Sequence, residues 1–256
     1  KLTGFLDLQI RNVNYKVDGV VNGLVPINVS DNFSFFNPKV GMTYKVKDNI
    51  DLYLSFAKSH REPNRTDYEN GNPLPEKLNN FELGLRKRNW SLNLYYMRYK
   101  DQLVLTGAID EVGSPIRQNV GDSYRLGVEF DSSFNISDKI SWNPNLSFSE
   151  NKNIDFYFKR DGILNNLGNT NISFSPNIVA ASNILYEISE KTLISILTKY
   201  VGEQYMGNID SKNSKLNAYS TVDLNFVFQP HNFPFFKDIR FTILFNNIFG
   251  LKYVSN

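Results

Sequence analysis

The sequence predicts an all-β chain whose antiparallel strands form a transmembrane β-barrel. The first observation is the alternation of apolar and polar residues, which is clearest in the hairpin from Phe81 to Tyr96. Apolar side chains occupy every second position on both sides of a short charged turn, which is the period of a half-buried strand and not of a helix. The second observation is that short turns and long polar connections succeed one another along the chain, as in bacterial outer-membrane barrels.

The composition agrees with this fold class and excludes several others. Aromatic residues make up 14% of the 256 residues, and no stretch approaches the roughly 20 consecutive apolar residues of a membrane-spanning helix. A barrel strand needs apolar residues only at alternate positions, so a hydrophobic fraction of 41% is compatible with a membrane protein. The absence of cysteine excludes disulfides and thiolate sites, and a net charge of +2 gives no basic surface for nucleic acid.

Apolar residues that share one phase identify eleven strands in chain order. In the third strand, for example, Leu52, Leu54 and Phe56 alternate with polar residues. The strands cover approximately 2–10, 33–46, 50–59, 78–86, 90–106, 124–136, 140–149, 172–188, 194–200, 216–228 and 239–245. Turn-forming residues join them, and Gly and Pro concentrate in the longer connections. The short turns are predicted at 47–49, 86–89, 137–139, 189–191 and 229–237, and the long connections at 12–32, 60–77, 107–122, 150–171 and 201–215.

The two kinds of connection define the two ends of the barrel, with short periplasmic turns and long extracellular loops. Aromatic residues near strand ends are typical of the lipid–water interface, so Trp90, Trp142 and Tyr200 are predicted to form part of an aromatic girdle. Polar residues on the opposite face would line the lumen, either as a polar path or as a solvated interior with local ion pairs. The charged residues predicted there are Arg125, Glu129 and Asp131.

Eleven strands cannot close a bacterial barrel, which has an even number of strands and leaves no open edge in lipid. The sequence also opens without the charged segment and apolar run of a signal peptide, and it ends in the loop-like segment Lys252–Asn256. We therefore expect a mature sequence or, more simply, an excerpt of a longer chain that lacks at least one strand. The excerpt alone should not form a closed barrel.

Four segments resemble the C-terminal half of the barrel of TonB-dependent outer-membrane transporters. Leu54–Asn64 is similar to the family's strand that runs into an Arg-x-Pro loop, and Pro75–Gly84 is similar to its Pro-Glu strand start followed by Glu-x-Gly. Tyr95–Leu103 is the third segment, and Leu244–Tyr253 is similar to the Asn-Leu-Phe ending of the penultimate strand. These segments follow the family's order over nearly the whole chain.

The resemblance implies a partial barrel of about 11 of 22 strands, in which residues 1–256 form the C-terminal part of the receptor barrel domain. The plug domain, the TonB box and the closing strand are expected outside this sequence. The implied function is active import of a scarce, bulky nutrient such as an iron–siderophore complex, haem or cobalamin, energised by the TonB complex. The implied partners are this small-molecule ligand, TonB acting through the N-terminal plug region, and outer-membrane lipid and lipopolysaccharide, whereas no cofactor is expected.

The long connection after the third strand supplies the candidate ligand contacts. Arg61 or Arg65 would attract an anionic chelate through charge-assisted hydrogen bonds. The alternatives are a network that anchors the loop and a contact with lipopolysaccharide. His60 could also be an axial ligand of haem, although the only other histidine, His231, lies in a predicted short turn. The full candidate set is His60, Arg61, Asn64, Arg65 and Tyr68.

No motif of a known catalytic site is present: the sequence lacks HExxH, G-x-S-x-G, a P-loop and G-x-G-x-x-G. Ser59 and His60 are neighbours, but adjacent residues of a regular strand point to opposite faces and cannot form a nucleophile–base pair. We therefore predict that the protein is not an enzyme. Two other function classes stay open, a passive porin-like channel without a plug and a soluble all-β adhesion module.

Overall fold

The computed structural model describes residues 1–21, 25–69, 71–109, 113–160, 163–230, 236 and 239–254. Within these residues strands predominate, accompanied by one short α-helix, α1 (Arg65–Glu69), and a 3-10 turn (Lys212–Ser214). The strands are β1 (Leu2–Val21), β2 (Val25–Lys47), β3 (Ile50–Arg61), β4 (Glu76–Lys87), β5 (Trp90–Lys100), β6 (Leu103–Ile109), β7 (Pro115–Asn119), β8 (Ser123–Ser132), β9 (Phe134–Ser137), β10 (Ile140–Asn153), β11 (Tyr157–Arg160), β12 (Ile163–Asn166), β13 (Thr170–Asn171), β14 (Ile178–Ser189), β15 (Thr192–Val201), β16 (Gln204–Tyr205), β17 (Lys215–Leu216), β18 (Tyr219–Phe228) and β19 (Phe241–Phe245). Among the described residues, no helix has the length and apolar character needed to cross a membrane.

Eleven of these strands succeed one another in a single antiparallel sheet, in the order β1-β2-β3-β4-β5-β8-β10-β14-β15-β18-β19. The short strands β9 and β13 also pair with β10, so that the sheet has thirteen strands. Each strand of the path pairs with the one before and the one after it, which is the up-and-down order of a barrel wall and not that of a Greek-key sandwich. The predicted eleven antiparallel strands are confirmed.

The two faces of this sheet differ in polarity. The ladders that join β3, β4, β5, β8 and β10 in succession contain no register shift, so residues opposite one another point to the same side. On one side the apolar residues remain exposed: Leu54 is 48% exposed, Phe81 47% and Leu126 49%. Rows of exposed apolar side chains are what a lipid-facing surface requires, whereas a soluble sandwich would bury them against a second sheet.

Several fully buried side chains lie where the strands meet the long loops. Ile172 is 2% exposed, and both Ser123 and Asn153 are 0% exposed. Three two-stranded hairpins, β6–β7, β11–β12 and β16–β17, lie within the same loops. The described parts of these long connections therefore form a packed, partly polar layer at one end of the sheet.

The predicted connection at 12–32 is wrong, because most of it is strand. β1 extends to Val21 and β2 begins at Val25, and the two form one continuous ladder. The Asn, Asp and Gly residues of this segment suggested a loop. Val13, Tyr15 and Val17 nevertheless alternate with polar residues as in a strand, although in the opposite phase to Leu8 and Ile10. The hairpin therefore projects well beyond the roughly 9–11 residues that a strand needs to cross a bilayer.

Two other strands are shorter than predicted, because a residue with left-handed backbone interrupts each of them. The strand predicted at 90–106 ends at Lys100 and is followed by Asp101, whose φ is 56°. The strand predicted from 172 begins only at Ile178, after Phe174 with a φ of 51°. A non-glycine residue with positive φ cannot continue a strand ladder. The last predicted turn, including His231, lies mostly outside the described residues.

Three cross-strand pairs of the described residues join an aromatic residue with a glycine directly opposite it. In each pair a Cβ added to the glycine would overlap the aromatic ring, so the ring lies over the glycine. Glycine alone weakens a strand, and an aromatic ring packed over it restores side-chain contact. The pairs are Phe5 with Gly41, Tyr53 with Gly84, and Tyr95 with Gly127.

Candidate functional site

The inner face of β4, β5, β8 and β10 forms a polar wall. Alternation directs Glu82, Asn93 and Glu129 to this side, where clefts of about 300 Å³ and 340 Å³ lie among the side chains. The hydroxyl group of Tyr53 donates to Oδ1 of Asn93 over 3.0 Å and links β3 with β5. Carboxylates, amides and hydroxyls in this arrangement can bind water or a hydrated polar solute.

The three charged residues predicted to face the lumen all lie on the polar side of β8. Nη1 of Arg125 donates to the hydroxyl of Ser175 over 3.2 Å, and its guanidinium carbon lies 5.9 Å from the ring centre of Tyr99. Glu129 lines both clefts of the wall, and Asp131 lines one of them. Arg125 is thus held in place by Ser175 and by the ring of Tyr99. Contact of any of the three charged residues with a solute stays a prediction.

A larger cleft of about 590 Å³ opens where β1, β2 and β3 extend toward the long loops. Asn37 connects two of these strands, because its Nδ2 donates to Oε1 of Gln9 over 3.0 Å and its Oδ1 lies 2.8 Å from Nδ1 of His60. The ring of His60 stacks on Phe35, with ring centres 5.0 Å apart. An amide and an aromatic ring therefore fix the position of His60. The charged residues that line this cleft are Arg11, Lys39, Arg61 and Glu62.

Both arginines of this cleft face carboxylates. Arg11 donates to the two carboxylate oxygens of Glu62 over 3.0 Å and 2.5 Å, and Nε of Arg61 lies 3.7 Å from Glu76. Burial acts to raise the pKa of Glu62, but hydrogen bonds from its own backbone N–H and from Arg11, with the charge of Arg11, lower the pKa overall. Lys39 forms no ion pair within the described part of the chain. Lys39 is therefore the cation of the cleft that is available to an anionic ligand.

Asn64 and Arg65 make contacts within the loop itself. Oδ1 of Asn64 accepts a hydrogen bond from the N–H of Asp67 over 3.1 Å, and the N–H of Asn64 donates to Oδ2 of Asp67 over 2.9 Å. This reciprocal pair caps the N-terminus of α1. Nε of Arg65 lies 2.7 Å from the carboxylate of Glu69. Asn64 still reaches the edge of the cleft, whereas Arg65 does not line it.

Tyr68 fastens α1 to the long β1–β2 hairpin. Its side chain is 7% exposed, its hydroxyl donates to Oδ2 of Asp31 over 2.5 Å, and its ring stacks on Tyr15 at 5.4 Å. Burial and the hydrogen bond to Asp31 raise the pKa of the Tyr68 phenol. Tyr68 therefore has a clear structural partner, and the loop-anchoring alternative accounts for it. Its role as a ligand contact stays a prediction.

The cleft also contains residues that the sequence reasoning missed. Gln9, Arg11, Asn37 and Lys39 come from β1 and β2, which the sequence predicts to be separated by a long polar connection. The signal that identifies them is the phase of each strand, since all four lie in the phase opposite to the apolar residues Leu8 and Val40. Their meeting with His60 depends on the register of the β1–β2 hairpin.

The side chain of Asn208 connects three long loops through hydrogen bonds. The sequence does not predict this role. Its side chain is 2% exposed, and its Nδ2 donates to the carbonyl of Leu105 over 2.6 Å. Its Oδ1 accepts hydrogen bonds from the N–H of Ser173 over 2.9 Å and from Nδ2 of Asn153 over 3.3 Å. One amide thus satisfies buried polar groups from the β6, β10 and β13–β14 segments of the chain.

The Asn208→Ala substitution is expected to loosen these loops without unfolding the sheet. It leaves the buried N–H of Ser173 without its acceptor, which costs about 1–3 kcal/mol. The carbonyl of Leu105 and the amide of Asn153 lose one partner but keep others. Hydrogen–deuterium exchange should rise in 103–109 and 170–175 and stay unchanged in β3 and β4. Asn165→Ala is the matched control, because Asn165 is exposed and donates only to the carbonyl of Ile163. Equal exchange in both variants would contradict the role of Asn208.

The three predicted girdle residues lie on the apolar side of the sheet, near strand ends. Trp90 begins β5 beside a short turn, and Trp142 lies close to the short-turn end of β10. Tyr200 lies at the opposite, long-loop end of β15 and is 39% exposed. These positions suit two interfacial belts, one at each end, and the interfacial role itself stays a prediction.

A comparison with protein families matches most of the chain. The model described as "TonB dependent receptor-like, beta-barrel" matches residues 5–248. A protein of Haemophilus influenzae described as an uncharacterized TonB-dependent receptor is 26% identical over 187 residues, which cover 71% of this chain and 52% of that protein. The chain thus spans about half the length of this curated relative.

Solved structures share the fold at low sequence identity. The siderophore receptor PiuA of Acinetobacter baumannii superposes with a TM-score of 0.70 at 17% identity, covering 98% of this chain and 37% of that one. The ferric yersiniabactin receptor FyuA of Yersinia pestis gives 0.69 at 18% identity, covering 98% and 38%. The copper transporter OprC gives 0.73 at 16% identity, covering 99% and 40%. The chain therefore belongs to the TonB-dependent receptor-like β-barrel family and is part of a barrel of the bacterial outer membrane.

Proposed function

We propose that this chain is the C-terminal part of the barrel of an outer-membrane receptor that imports a bulky nutrient, most simply an iron–siderophore complex, with energy supplied by TonB. The observation that carries the proposal is the family match over residues 5–248. Solved structures with the same fold include receptors described as binding siderophores, such as PiuA and FyuA. The plug, the TonB contact and the remaining strands would come from other parts of the parent protein.

The polar inner wall supports a path for a large hydrophilic solute. Glu82, Asn93 and Glu129 face the inside of the sheet, and apolar rows cover its outside. A channel lined in this way lowers the cost of moving a solute that carries charges and many hydrogen-bonding groups. The wall would serve a passive channel equally well, so the dependence on energy has to be measured.

The cleft at the long-loop end supports an anionic ligand. Lys39 is exposed there without an ion pair among the described residues, and amide groups of Gln9 and Asn37 lie beside it. An ammonium group with neighbouring amides suits a carboxylate or phenolate oxygen of an iron chelate. Because Arg11 and Arg61 already face Glu62 and Glu76, we expect Lys39 to contribute more to ligand affinity than either arginine.

The proposal is tested by uptake in cells that lack the gene of the parent receptor. Radiolabelled iron is supplied on a panel of siderophores or as haem, and labelled cobalamin is supplied separately. Re-expression of the receptor should restore uptake of one class of ligand, and removal of TonB should abolish that uptake. Uptake that persists without TonB would identify a passive channel, and no restored uptake of any ligand would contradict import.

The Lys39→Glu substitution tests the cleft. We expect it to weaken binding of the identified anionic chelate roughly tenfold, because a hydrogen bond to a charged group is replaced by repulsion. Lys199→Glu is the matched control, since Lys199 is an exposed lysine on the polar phase of β15, far along the sheet from the cleft. Equal affinity of the two variants would place the ligand elsewhere in the receptor.

A further inference from the structure

The imidazole ring of His60 is held in one orientation by side chains of β1 and β2. Oδ1 of Asn37 lies 2.8 Å from Nδ1 of His60, and Nδ2 of Asn37 donates to Oε1 of Gln9 over 3.0 Å. Because the amide nitrogen of Asn37 is the donor to Gln9, its oxygen faces His60 and can only accept a hydrogen bond. Nδ1 of His60 therefore carries a proton whether the ring is neutral or charged.

The second ring nitrogen, Nε2, is the atom that gains or loses a proton. Within the described residues Nε2 forms no hydrogen bond with the protein, and His60 lines the cleft of about 590 Å³. The ring also stacks on Phe35, with ring centres 5.0 Å apart. Protonation of Nε2 thus adds a charged N–H donor to the cleft while the ring keeps its contacts with Asn37 and Phe35.

His60 lies in the aqueous loop layer and not in the part of β3 that crosses the membrane. Nine residues, from Ile50 to Lys58, are close to the roughly 9–11 that cross the hydrocarbon region. His60 follows them near the end of β3 (Ile50–Arg61), beside the long loop. The proton on Nε2 can therefore exchange with external water.

The surroundings of His60 oppose a positive charge on its ring. Lys77 lies directly opposite His60 in the β3–β4 ladder, and Nη2 of Arg11 donates to the backbone carbonyl of His60 over 3.1 Å. Burial, followed by the charges of Lys58, Lys77 and Arg11, lowers the pKa of His60 below its ordinary value of 6.5. Without an anion beside it, His60 is therefore neutral at neutral pH.

The neighbouring carboxylates do not neutralise these cations for His60, because arginines engage them. Arg11 donates to Glu62, whose pKa is lowered overall, and Arg61 lies 3.7 Å from Glu76. Among the residue types around the cleft, histidine is the one whose charge changes between about pH 5 and pH 8. The charged and titratable residues beside His60 are Arg11 and Tyr15 of β1, Lys39 of β2, Lys58 and Arg61 of β3, Glu62 after β3, and Glu76 and Lys77 of β4.

We propose that the cleft takes up a proton at Nε2 of His60 when it binds an anion, so that its affinity for anions rises as the pH falls. The bound anion would accept hydrogen bonds from Nε2–H of His60 and from the ammonium group of Lys39. The inference rests on the proposed anionic ligand of this cleft and adds its regulation by pH.

The direction of the effect follows from proton linkage. A negative charge beside Nε2 offsets the repulsion from the neighbouring cations, so the pKa of His60 is higher in the complex than in the free cleft. At a pH above both pKa values His60 is neutral in both states, and the affinity is lowest. Between the two values binding takes up a proton, and below both the affinity is highest.

The test measures binding of naphthalenetrisulfonate to the purified full-length receptor in a neutral detergent. This probe is chosen because its sulfonates keep their charge from about pH 5 to pH 8, so that any pH effect belongs to the protein. Isothermal titration calorimetry should give at least about fivefold higher affinity at the acidic limit, since one pKa unit between the free and bound states corresponds to a tenfold change. Heats measured near the midpoint in two buffers of different ionisation enthalpy should show proton uptake.

Three variants assign the effect to His60. His60→Gln keeps a polar side chain that does not titrate, so it should abolish the proton uptake and reduce the pH effect to less than about twofold. The matched control is His231→Gln, which replaces the other histidine of the chain and should keep the original pH profile. Asn37→Asp places a carboxylate beside Nδ1 of His60, which should move the pH profile to higher pH.

An affinity that does not change with pH, or a pH effect that persists in His60→Gln, would overturn the proposal. Absence of probe binding at the acidic limit would also overturn it. If His60→Gln fails to fold, as judged by heat-modifiable gel migration, the shift of the pH profile in Asn37→Asp decides. Import is a separate readout, because uptake in cells can fail while pH-dependent binding persists, and uptake can succeed although the binding is independent of pH.

Discussion

The Leu54→Arg substitution should destabilise the folded barrel by about 2–4 kcal/mol, which is the cost of an arginine facing lipid near the middle of a bilayer. Leu54 is the central residue of the nine from Ile50 to Lys58 and is 48% exposed on the apolar side of the sheet. In a soluble protein an arginine at a site this exposed would cost almost nothing, because water would solvate it. The size of this loss of stability therefore shows whether the apolar face lies against lipid or against water.

Ser55→Arg is the matched control, one residue along the same strand. Ser55 points to the polar face and lies opposite Glu82 on the neighbouring strand, so an arginine there meets water and a carboxylate. We expect less than about 1 kcal/mol of change from this control. Both variants are made in the full-length receptor, and the free energy of unfolding is measured in lipid vesicles by denaturant titration. A loss of stability that is equal for the two variants would contradict the assignment of the faces.

The second large effect is expected for Gly127→Ala, which should cost about 1–3 kcal/mol through overpacking. A Cβ at this position would lie 2.5 Å from both Cζ and the hydroxyl oxygen of Tyr95 and 2.8 Å from the backbone carbonyl oxygen of Phe148. The ring can move, but the carbonyl belongs to the neighbouring strand and cannot move without distorting the ladder. Shortening Tyr95 to alanine should therefore fail to rescue Gly127→Ala completely.

Gly84→Ala should behave differently, because the three atoms nearest to the added Cβ all belong to the side chain of Tyr53. In the Tyr53→Ala background, the same change is expected to cost less than about 0.5 kcal/mol, so the two substitutions should couple strongly. Gly4→Ala is the control, since its Cβ would contact a carbonyl oxygen at an ordinary 3.6 Å. Additive effects of Gly84→Ala and Tyr53→Ala would show that the ring does not pack over the glycine.

The sequence by itself determined the fold class, the eleven strands along the main path of the sheet and the face of most of them, but not the short strands within the long loops. Alternation with a period of two is a local property, so Leu83 and Leu94 could be assigned to one face before any partner strand was known. The positions of Arg125, Glu129 and Asp131 on the polar side followed from the same rule. Local turn chemistry also placed most of the short turns, because Asp, Asn and Lys at strand ends act within a few residues.

Only the tertiary structure decided which side chains meet at the loop end. Arg11 and Glu62 are 51 residues apart in sequence, and Asn208 contacts a carbonyl 103 residues away, so no local pattern identifies either contact. The sequence did not predict the long β1–β2 hairpin for a related reason. Its polar residues favour a loop, but pairing between the two strands outweighs that loop propensity. The cleft around His60 depends on the registers of separate strands, which are set by pairing across the whole sheet.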